Sequence, residues 1–187
     1  MGHAGLQLVM AMDAILKNLS ARCALGELDK RRADLWFVTV DPAHVRPALA
    51  HLRDNEGFTH LVLLTAVDWM EEGRFQLTYL LHNRAAALDV GLRCFIDRET
   101  ATMESIHDMW ATAATYQREL KEMFGIDFPG SPGVDDEFIL EGWAEIPPYR
   151  RDFDTLAYAE ATYTNRPGRA SEDPEEYMQR KLYPEGA

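Results

Sequence analysis

Residues 60–97, HLVLLTAVDWMEEGRFQLTYLLHNRAAALDVGLRCFID, decide the fold because they contain three apolar stretches separated by short polar connections. Residues 60–69 are almost continuously apolar, which is typical of a strand that is buried on both faces. Residues 74–81 and 88–96 alternate between apolar and polar positions, as strands with one buried face do. Short connections between consecutive strands favour antiparallel pairing, so the stretch predicts a three-stranded meander.

The segments outside this meander add further strands and helices. Asp41 and Pro42 are typical of a helix start, because Asp is a good N-cap and Pro suits the first helical position. Apolar residues at three- and four-residue steps predict amphipathic helices elsewhere. The additional predicted elements are strands near residues 24–31 and 35–40 and helices at residues 6–19, 42–53 and 102–124. The predicted fold class is α+β: a small, mostly antiparallel sheet with helices packed on one face.

A long C-terminal tail is predicted behind this domain. All nine prolines except Pro42 and Pro47 lie after residue 128, so we place the boundary between a domain (1–128) and an extended, Pro- and aromatic-rich tail (129–187) there. Regular aromatic spacing is unlike a disordered linker and indicates a segment that binds a partner. Residues 173–176, DPEE, predict a short terminal helix.

Composition excludes several classes of function. The chain has 187 residues, 47% of them hydrophobic, with a net charge of −12. Nucleic-acid binding needs a basic face, so this balance argues against it. Residues 6–19 contain Asp13 and Lys17 and follow no basic segment, so we expect neither a signal peptide nor a membrane span and place the protein on the cytoplasmic side.

Motifs for catalysis or cofactor binding are not apparent in the sequence. Cys23 and Cys94 are far apart and are interpreted as reduced core cysteines, and the six histidines show no ligand spacing. No Gly-rich phosphate loop follows a strand. Asp68 ends a predicted strand, where burial would shift its pKa, but one carboxylate without a placed partner is weak support for acid–base chemistry. We therefore expect no catalytic, cofactor-binding or metal-binding residues in this chain.

Two motifs in the second half carry a family resemblance. The first comprises Arg118-Glu119, residues 122–126 (EMFGI), Phe128 and residues 130–132, and the second is PYRRDF at residues 148–153. In this order they resemble the C subunit of bacterial NADH:quinone oxidoreductase, respiratory complex I, and the same subunit of complex I-like membrane-bound hydrogenases. The resemblance extends over residues 35–154.

The chain departs from the family's usual pattern at several positions. It has Gln117 where the pattern has Glu, Glu122 where it has Asp, and Ser131 where it has His. Asp135 and Asp136 stand where the pattern has a pair of Arg residues. That change inverts the charge, so an anionic contact of the Arg pair cannot be carried over to this chain.

The resemblance implies a peripheral subunit on the cytoplasmic side of the cell membrane. It would lack a cofactor of its own and would pack in the hydrophilic arm against the large subunit, whose hydrogenase relative binds nickel and iron. Iron–sulfur clusters, and flavin or a nickel–iron centre, would belong to neighbouring subunits. The complex would couple electron transfer to proton or ion pumping. Two alternatives stay open: a subunit of a membrane-bound hydrogenase, and a stand-alone cytoplasmic adaptor.

The motif residues and their neighbours are the predicted partner interface. Gln117 interrupts an apolar helical stripe, so it is either a satisfied amide at the edge of the core or a polar contact for the partner. Arg118 and Glu122 are four residues apart and can form an ion pair. The predicted interface residues are Gln117, Arg118, Glu119, Glu122, Phe124, Gly125, Trp143, Pro148, Tyr149, Arg150, Arg151, Asp152 and Phe153.

Overall fold

Five strands and five α-helices make up the computed structural model, which describes residues 3–163 and 174–182. The chain divides into two compact units, Met1–Phe153 and Asp154–Ala187. In chain order the elements are α1 (His3–Ser20), β1 (Leu25–Lys30), β2 (Leu35–Val40), α2 (Pro42–Asp54), β3 (His60–Trp69), β4 (Arg74–Asn83), β5 (Leu88–Asp97), α3 (Ala113–Phe124), α4 (Thr155–Thr162) and α5 (Pro174–Leu182).

The strands form one sheet in the order β1-β2-β5-β4-β3. The β3–β4–β5 meander is confirmed, with Tyr79 of β4 opposite both Leu64 and Leu92. Gly73 has φ 64° in the turn before β4, a conformation that glycine adopts without steric cost. β2 pairs with β5 in parallel, and the other neighbouring strands are antiparallel. The mostly antiparallel sheet is therefore as predicted.

One face of the sheet holds the core, and the helices pack there. Alternate residues of each central strand are buried, because successive side chains of a strand point to opposite faces. The buried apolar side chains on the core face are Phe75, Leu77, Tyr79 and Leu81 of β4 and Leu88, Val90, Leu92, Cys94 and Ile96 of β5. α2 packs against β5, α3 against β3, and α1 against α2. The predicted α+β fold class with helices on one face is confirmed.

Local structure differs from the predictions at β3 and before α3. β3 is an edge strand that exposes Thr65, Val67 and Trp69, so it is not buried on both faces. α3 begins at Ala113, so the predicted start near residue 102 is wrong. Residues 101–103 pair with Asp127 through the hydrogen bonds Asp127 N to Ala101 O (2.7 Å) and Met103 N to Asp127 O (2.9 Å). This pairing holds the segment extended although its apolar spacing suits a helix.

The tail is more structured than an extended chain. The first compact unit continues to Phe153, 25 residues beyond the predicted boundary, because residues 129–153 contain side chains that pack on the core, such as Val134 and Leu140. α4 was not predicted; Asp154 caps it by accepting hydrogen bonds from the N–H groups of Leu156 and Ala157. The predicted terminal helix is confirmed as α5, while Asp173 and the end of the tail lie outside the described residues.

The second face of the sheet carries flat, stacked side chains. The Phe37 ring lies over Gly91, and the Arg93 guanidinium lies 4.1 Å from the centre of that ring. A Cβ atom at position 91 would come within 2.1 Å of Phe37 Cδ1. Glycine at this position therefore allows the ring and the guanidinium to lie flat on the sheet.

Replacing Gly91 should destabilise the first unit by displacing this stack. We expect Gly91→Ala to lower the free energy of unfolding by about 1–3 kcal/mol, the usual cost of overpacking. Urea unfolding followed by circular dichroism measures it. Gly5→Ala is the matched control, because nothing lies within 4 Å of a Cβ at that helical position. Equal stability of the two variants would contradict the steric account.

Candidate functional site

The first motif forms the end of α3. Gly125 has φ 77° and donates its N–H to Lys121 O at 2.9 Å, which closes the helix in the left-handed conformation that favours glycine. A Cβ at this position would lie 3.3 Å from the Pro147 ring, which packs across the helix end. The glycine of the motif is therefore needed both for the helix cap and for the close approach of the tail.

Gln117 lies at the centre of a buried polar cluster on α3. It is fully buried, and its Oε1 accepts hydrogen bonds from Ser105 Oγ (2.8 Å) and Ser131 Oγ (2.7 Å). Ser105 Oγ is also 2.9 Å from His107 Nδ1. The Gln117 amide thus lies inside the core and is hydrogen-bonded through its Oε1, whereas its buried Nε2 has no hydrogen-bond partner among the described residues.

Glu122, in the last turn of α3, holds the loop at residues 138–140. Its carboxylate accepts hydrogen bonds from three consecutive backbone N–H groups, those of Phe138 (2.5 Å), Ile139 (2.9 Å) and Leu140 (3.2 Å). The Arg118 guanidinium lies 5.4 Å from the centre of the Phe138 ring. The predicted Arg118–Glu122 ion pair is not among the ion pairs found in residues 3–163, because Glu122 faces the loop.

Asp135, the first residue of the acidic pair at 135–136, forms an ion pair with a lysine of this chain. Lys121 Nζ contacts both Asp127 Oδ1, at 2.7 Å, and Asp135 Oδ1. These hydrogen bonds, first that of Asp127 and then that of Asp135, raise the pKa of Lys121 above its ordinary value. The charge inversion at Asp135 is thus partly compensated from α3.

The second motif packs back onto the end of α3. Tyr149 donates its N–H to Met123 O at 2.9 Å, and its ring meets that of Phe124 edge to face at 5.7 Å between centroids. Phe124 in turn meets Phe75 of β4 at 6.0 Å. These contacts place residues 148–153 against the core although Tyr149 is itself exposed.

An ion-pair cluster around Asp68, which we call the Asp68 clasp, fixes the second motif to the sheet. The Asp68 carboxylate, with 1% of its side chain exposed, accepts two hydrogen bonds from Arg98, at 2.8 and 3.0 Å. It also accepts the backbone N–H of Arg151 at 2.9 Å. Arg98 continues to Asp152 (2.8 Å), which lies 3.3 Å from Arg150, while the Arg151 side chain pairs with Glu71.

Two opposing effects act on the pKa of Asp68. Burial would raise this pKa, but the hydrogen bonds from Arg98 and from the Arg151 backbone lower it, and they prevail. Burial and Arg98 act on Asp152 in the same way, so its pKa is also lowered. Both carboxylates are therefore held in the charged form that the arginines bind.

Most predicted interface residues thus meet within this chain. Gln117, Arg118, Glu122, Phe124 and Gly125 contact the segment 131–153 or shape the helix end, and Tyr149, Arg150, Arg151 and Asp152 lie on the clasp or beside it. The rings of Trp143 and Phe153 pack against each other with 5.5 Å between their centroids, and Pro148 is half-buried. Glu119 is half-buried on α3. A contact of these residues with a partner stays a prediction.

Sequence reasoning missed Arg98 as the partner of Asp68. The alternation of side chains along a strand could have identified it, because residues 94, 96 and 98 fall on one side of β5 and its continuation. In the sheet, Phe75 pairs with Asp68 on one side and with Ile96 on the other. Asp68 and Arg98 are thus brought together at one end of the meander. Glu71, in the turn after β3, was missed because only the fold brings it to Arg151.

Removing the Asp68 charge should weaken the fold in a pH-dependent way. Asp68→Asn leaves the Arg98 cation without its buried partner, so we expect the free energy of unfolding at pH 7 to fall by about 3 kcal/mol. The folded-state pKa of Asp68 is lowered, so its stabilisation is fully present above the unfolded pKa of about 3.9 and is lost as pH falls through the folded value. Urea unfolding between pH 2 and 7, at pH steps of about one unit, would measure the difference.

The exposed pair of Arg151 provides the control for this prediction. Glu71→Gln removes a partner that is 60% exposed, and a surface ion pair contributes about 0–1 kcal/mol. The two variants remove the same charge from the same cluster. If Asp68→Asn were no more destabilising than Glu71→Gln, the Asp68 clasp would not hold the motif in place.

The described residues contain neither a metal-binding cluster nor a membrane-spanning helix. Residues 3–163 and 174–182 hold no group of three or more His, Cys, Asp or Glu side chains placed to bind a metal ion. Every helix in the same ranges is too short or too polar to cross a bilayer.

Comparison with known proteins identifies the family. Residues 38–159 match the family described as respiratory-chain NADH dehydrogenase, 30 Kd subunit. The C subunit of NADH-quinone oxidoreductase from Rhodobacter capsulatus is 34% identical over 152 residues, which are 78% of this chain and 69% of that protein.

Solved structures agree with this result. A chain from an archaeal respiratory complex, the membrane-bound sulfane sulfur reductase, is similar with a TM-score of 0.77 and 29% identity, over 87% of this chain and 96% of that one. A trypsin-resistant fragment of Nqo5 shares the fold, with a TM-score of 0.58 and 20% identity. The similarity covers 66% of this chain and 98% of that fragment. With the two motifs packed together at the end of α3 and the family match extending across them, this chain belongs to the respiratory-chain NADH dehydrogenase 30 Kd subunit family.

Proposed function

We propose that this chain is a non-catalytic assembly subunit in the hydrophilic arm of a membrane-bound, complex I-type oxidoreductase. It docks on the large subunit, which in complex I carries the quinone site, on the cytoplasmic side of the membrane. It supports electron transfer coupled to proton or ion pumping, and the iron–sulfur clusters and flavin or nickel–iron centre belong to neighbouring subunits. Family membership supports a complex of this type, since the relatives are subunits of NADH-quinone oxidoreductase.

The docking proposal rests on the solvent exposure of the side chains of α4. This helix of eight residues buries none of its side chains, and Leu156 is 68% exposed. Isolated helices shorter than about 12–15 residues are marginal in water, so tertiary or intersubunit packing must supply most of their stability. A partner surface that covers Leu156 would supply this packing.

A second candidate concerns the kind of complex. A chain of the membrane-bound sulfane sulfur reductase, an archaeal respiratory membrane complex, is similar over 87% of this chain at 29% identity. On this similarity, the second candidate is a complex I-like respiratory complex, such as a membrane-bound hydrogenase. Its electron donor and acceptor would differ from NADH and quinone. Mass spectrometry of the subunits that purify with this chain distinguishes the two candidates, and a stand-alone adaptor would purify with neither set.

Truncation separates folding from docking. A chain that ends after Phe153 keeps the whole first compact unit, so we expect it to fold with nearly unchanged stability and to be missing from the membrane complex. Thermal unfolding of the purified protein and native gel electrophoresis of solubilised membranes measure the two properties. Full incorporation of this shortened chain would contradict docking through the second unit.

A second truncation tests where the first unit ends. A chain that ends after Phe128 loses Ser131 and the three N–H groups that Glu122 binds, so the buried Gln117 and the half-buried Glu122 both lose hydrogen-bond partners. We expect it to unfold at clearly lower urea concentration than the chain that ends after Phe153. Equal stability would place the boundary at residue 128 instead.

A further inference from the structure

The loop at residues 138–140 is an exposed apolar projection on a fixed base. Glu122 binds all three of its backbone N–H groups, and Glu122 belongs to α3, which packs on the sheet. Hydrogen bonds to a charged acceptor are roughly twice as strong as neutral ones, so the carboxylate holds the backbone of the loop in one place.

The side chains of this loop point alternately inward and outward. Phe138 and Leu140 pack against the core, whereas Ile139 between them is 66% exposed. The backbone that holds Phe138 and Leu140 inward forces Ile139 outward. An isoleucine held in this way loses little conformational freedom on binding, which is the property of an anchor residue at an interface.

Charge around the loop restricts what can cover Ile139. Residues 134–149 contain five acidic residues, at positions 135–137, 141 and 145, and no Lys or Arg. Asp135 is paired with Lys121, and Glu137 caps the turn at Gly142, while Glu141 and Glu145 are exposed. A second copy of this chain, with the same acidic loop and a net charge of −12, is disfavoured, and so is an anionic lipid surface.

We propose that Ile139 is a docking anchor that inserts into an apolar pocket bordered by Lys or Arg side chains on the neighbouring subunit. This inference rests on the proposed function and names the chemistry of the surface that this chain meets. The pocket takes the isoleucine, and the basic border pairs with Glu141 and Glu145. Arg fits the border better than Lys where it can bind a carboxylate through two hydrogen bonds.

Site-specific photo-crosslinking in the assembled complex tests the location of the pocket. A photoreactive benzoylphenylalanine at position 139 should crosslink to a peptide of another subunit that contains apolar residues next to Lys or Arg, as mass spectrometry would show. The same probe at position 10 is the control, since Met10 is a 65% exposed apolar residue on α1. Crosslinking of position 139 to a second copy, to lipid or to nothing in an assembled complex would overturn the proposal.

Competition between variants tests the strength of the contact. Wild-type and variant chains with different tags are expressed together, and their ratio in the membrane complex is measured. We expect Ile139→Ala to be incorporated at least about tenfold less than wild type, a typical result for an anchor residue, and Met10→Ala equally with wild type. The double variant Glu141→Lys with Glu145→Lys should also be incorporated poorly. Melting temperatures of the free chains verify that all variants fold.

The outcomes separate this inference from the proposed function. If wild-type chain joins the complex and Ile139→Ala joins equally well, the anchor is overturned while the assembly role stands. If wild-type chain is found in no membrane complex, both are overturned. Equal incorporation of the charge-reversed variant would overturn the basic border of the pocket.

Discussion

Burial of the Asp68 carboxylate is the constraint on which the second motif depends. A charged carboxylate with 1% of its side chain exposed must be matched by hydrogen bonds, because an unpaired buried charge costs several kcal/mol. Arg98 and the Arg151 N–H provide this match from two distant segments of the chain. The end of β3, the residue after β5 and the tail therefore come together at one point, and the tail cannot leave without exposing or unpairing the charge.

The second motif contains charged residues that are paired within the chain and an aromatic residue that stays exposed. The charged groups of Arg150, Arg151 and Asp152 have partners within the chain, so their first role is to position the segment. Tyr149 remains 58% exposed on the same segment. The motif thus combines internal ion pairs, which fix its conformation, with an apolar surface that a partner can cover at little further conformational cost.

The predictions that held are those for which local pattern and tertiary packing agree. The meander was predictable because apolar residues recur at every second position along β4 and β5, which places them on one buried face. The start of α3 was not predictable. Met103, Ile106 and Trp110 have helical spacing and are buried, but they lie in the irregular segment before α3. The site was predictable as a set of motif residues and not as a geometry: Asp68, Arg98 and Glu71 are distant from the motifs in sequence, and only the fold brings them to Arg151 and Asp152.

Gln117 and Ser131, two of the residues that differ from the family's usual pattern, contact each other in the structure. Gln117 and Ser131 are 14 positions apart, yet Ser131 Oγ donates to Gln117 Oε1 at 2.7 Å inside the core. A Glu and a His at these two positions would lie within reach of an ion pair. Gln117 and Ser131 instead form a neutral hydrogen bond, which avoids the cost of burying two charges. Changing only one of them would leave a buried charge without its counterion, so the neutral pair is expected to be retained or lost together.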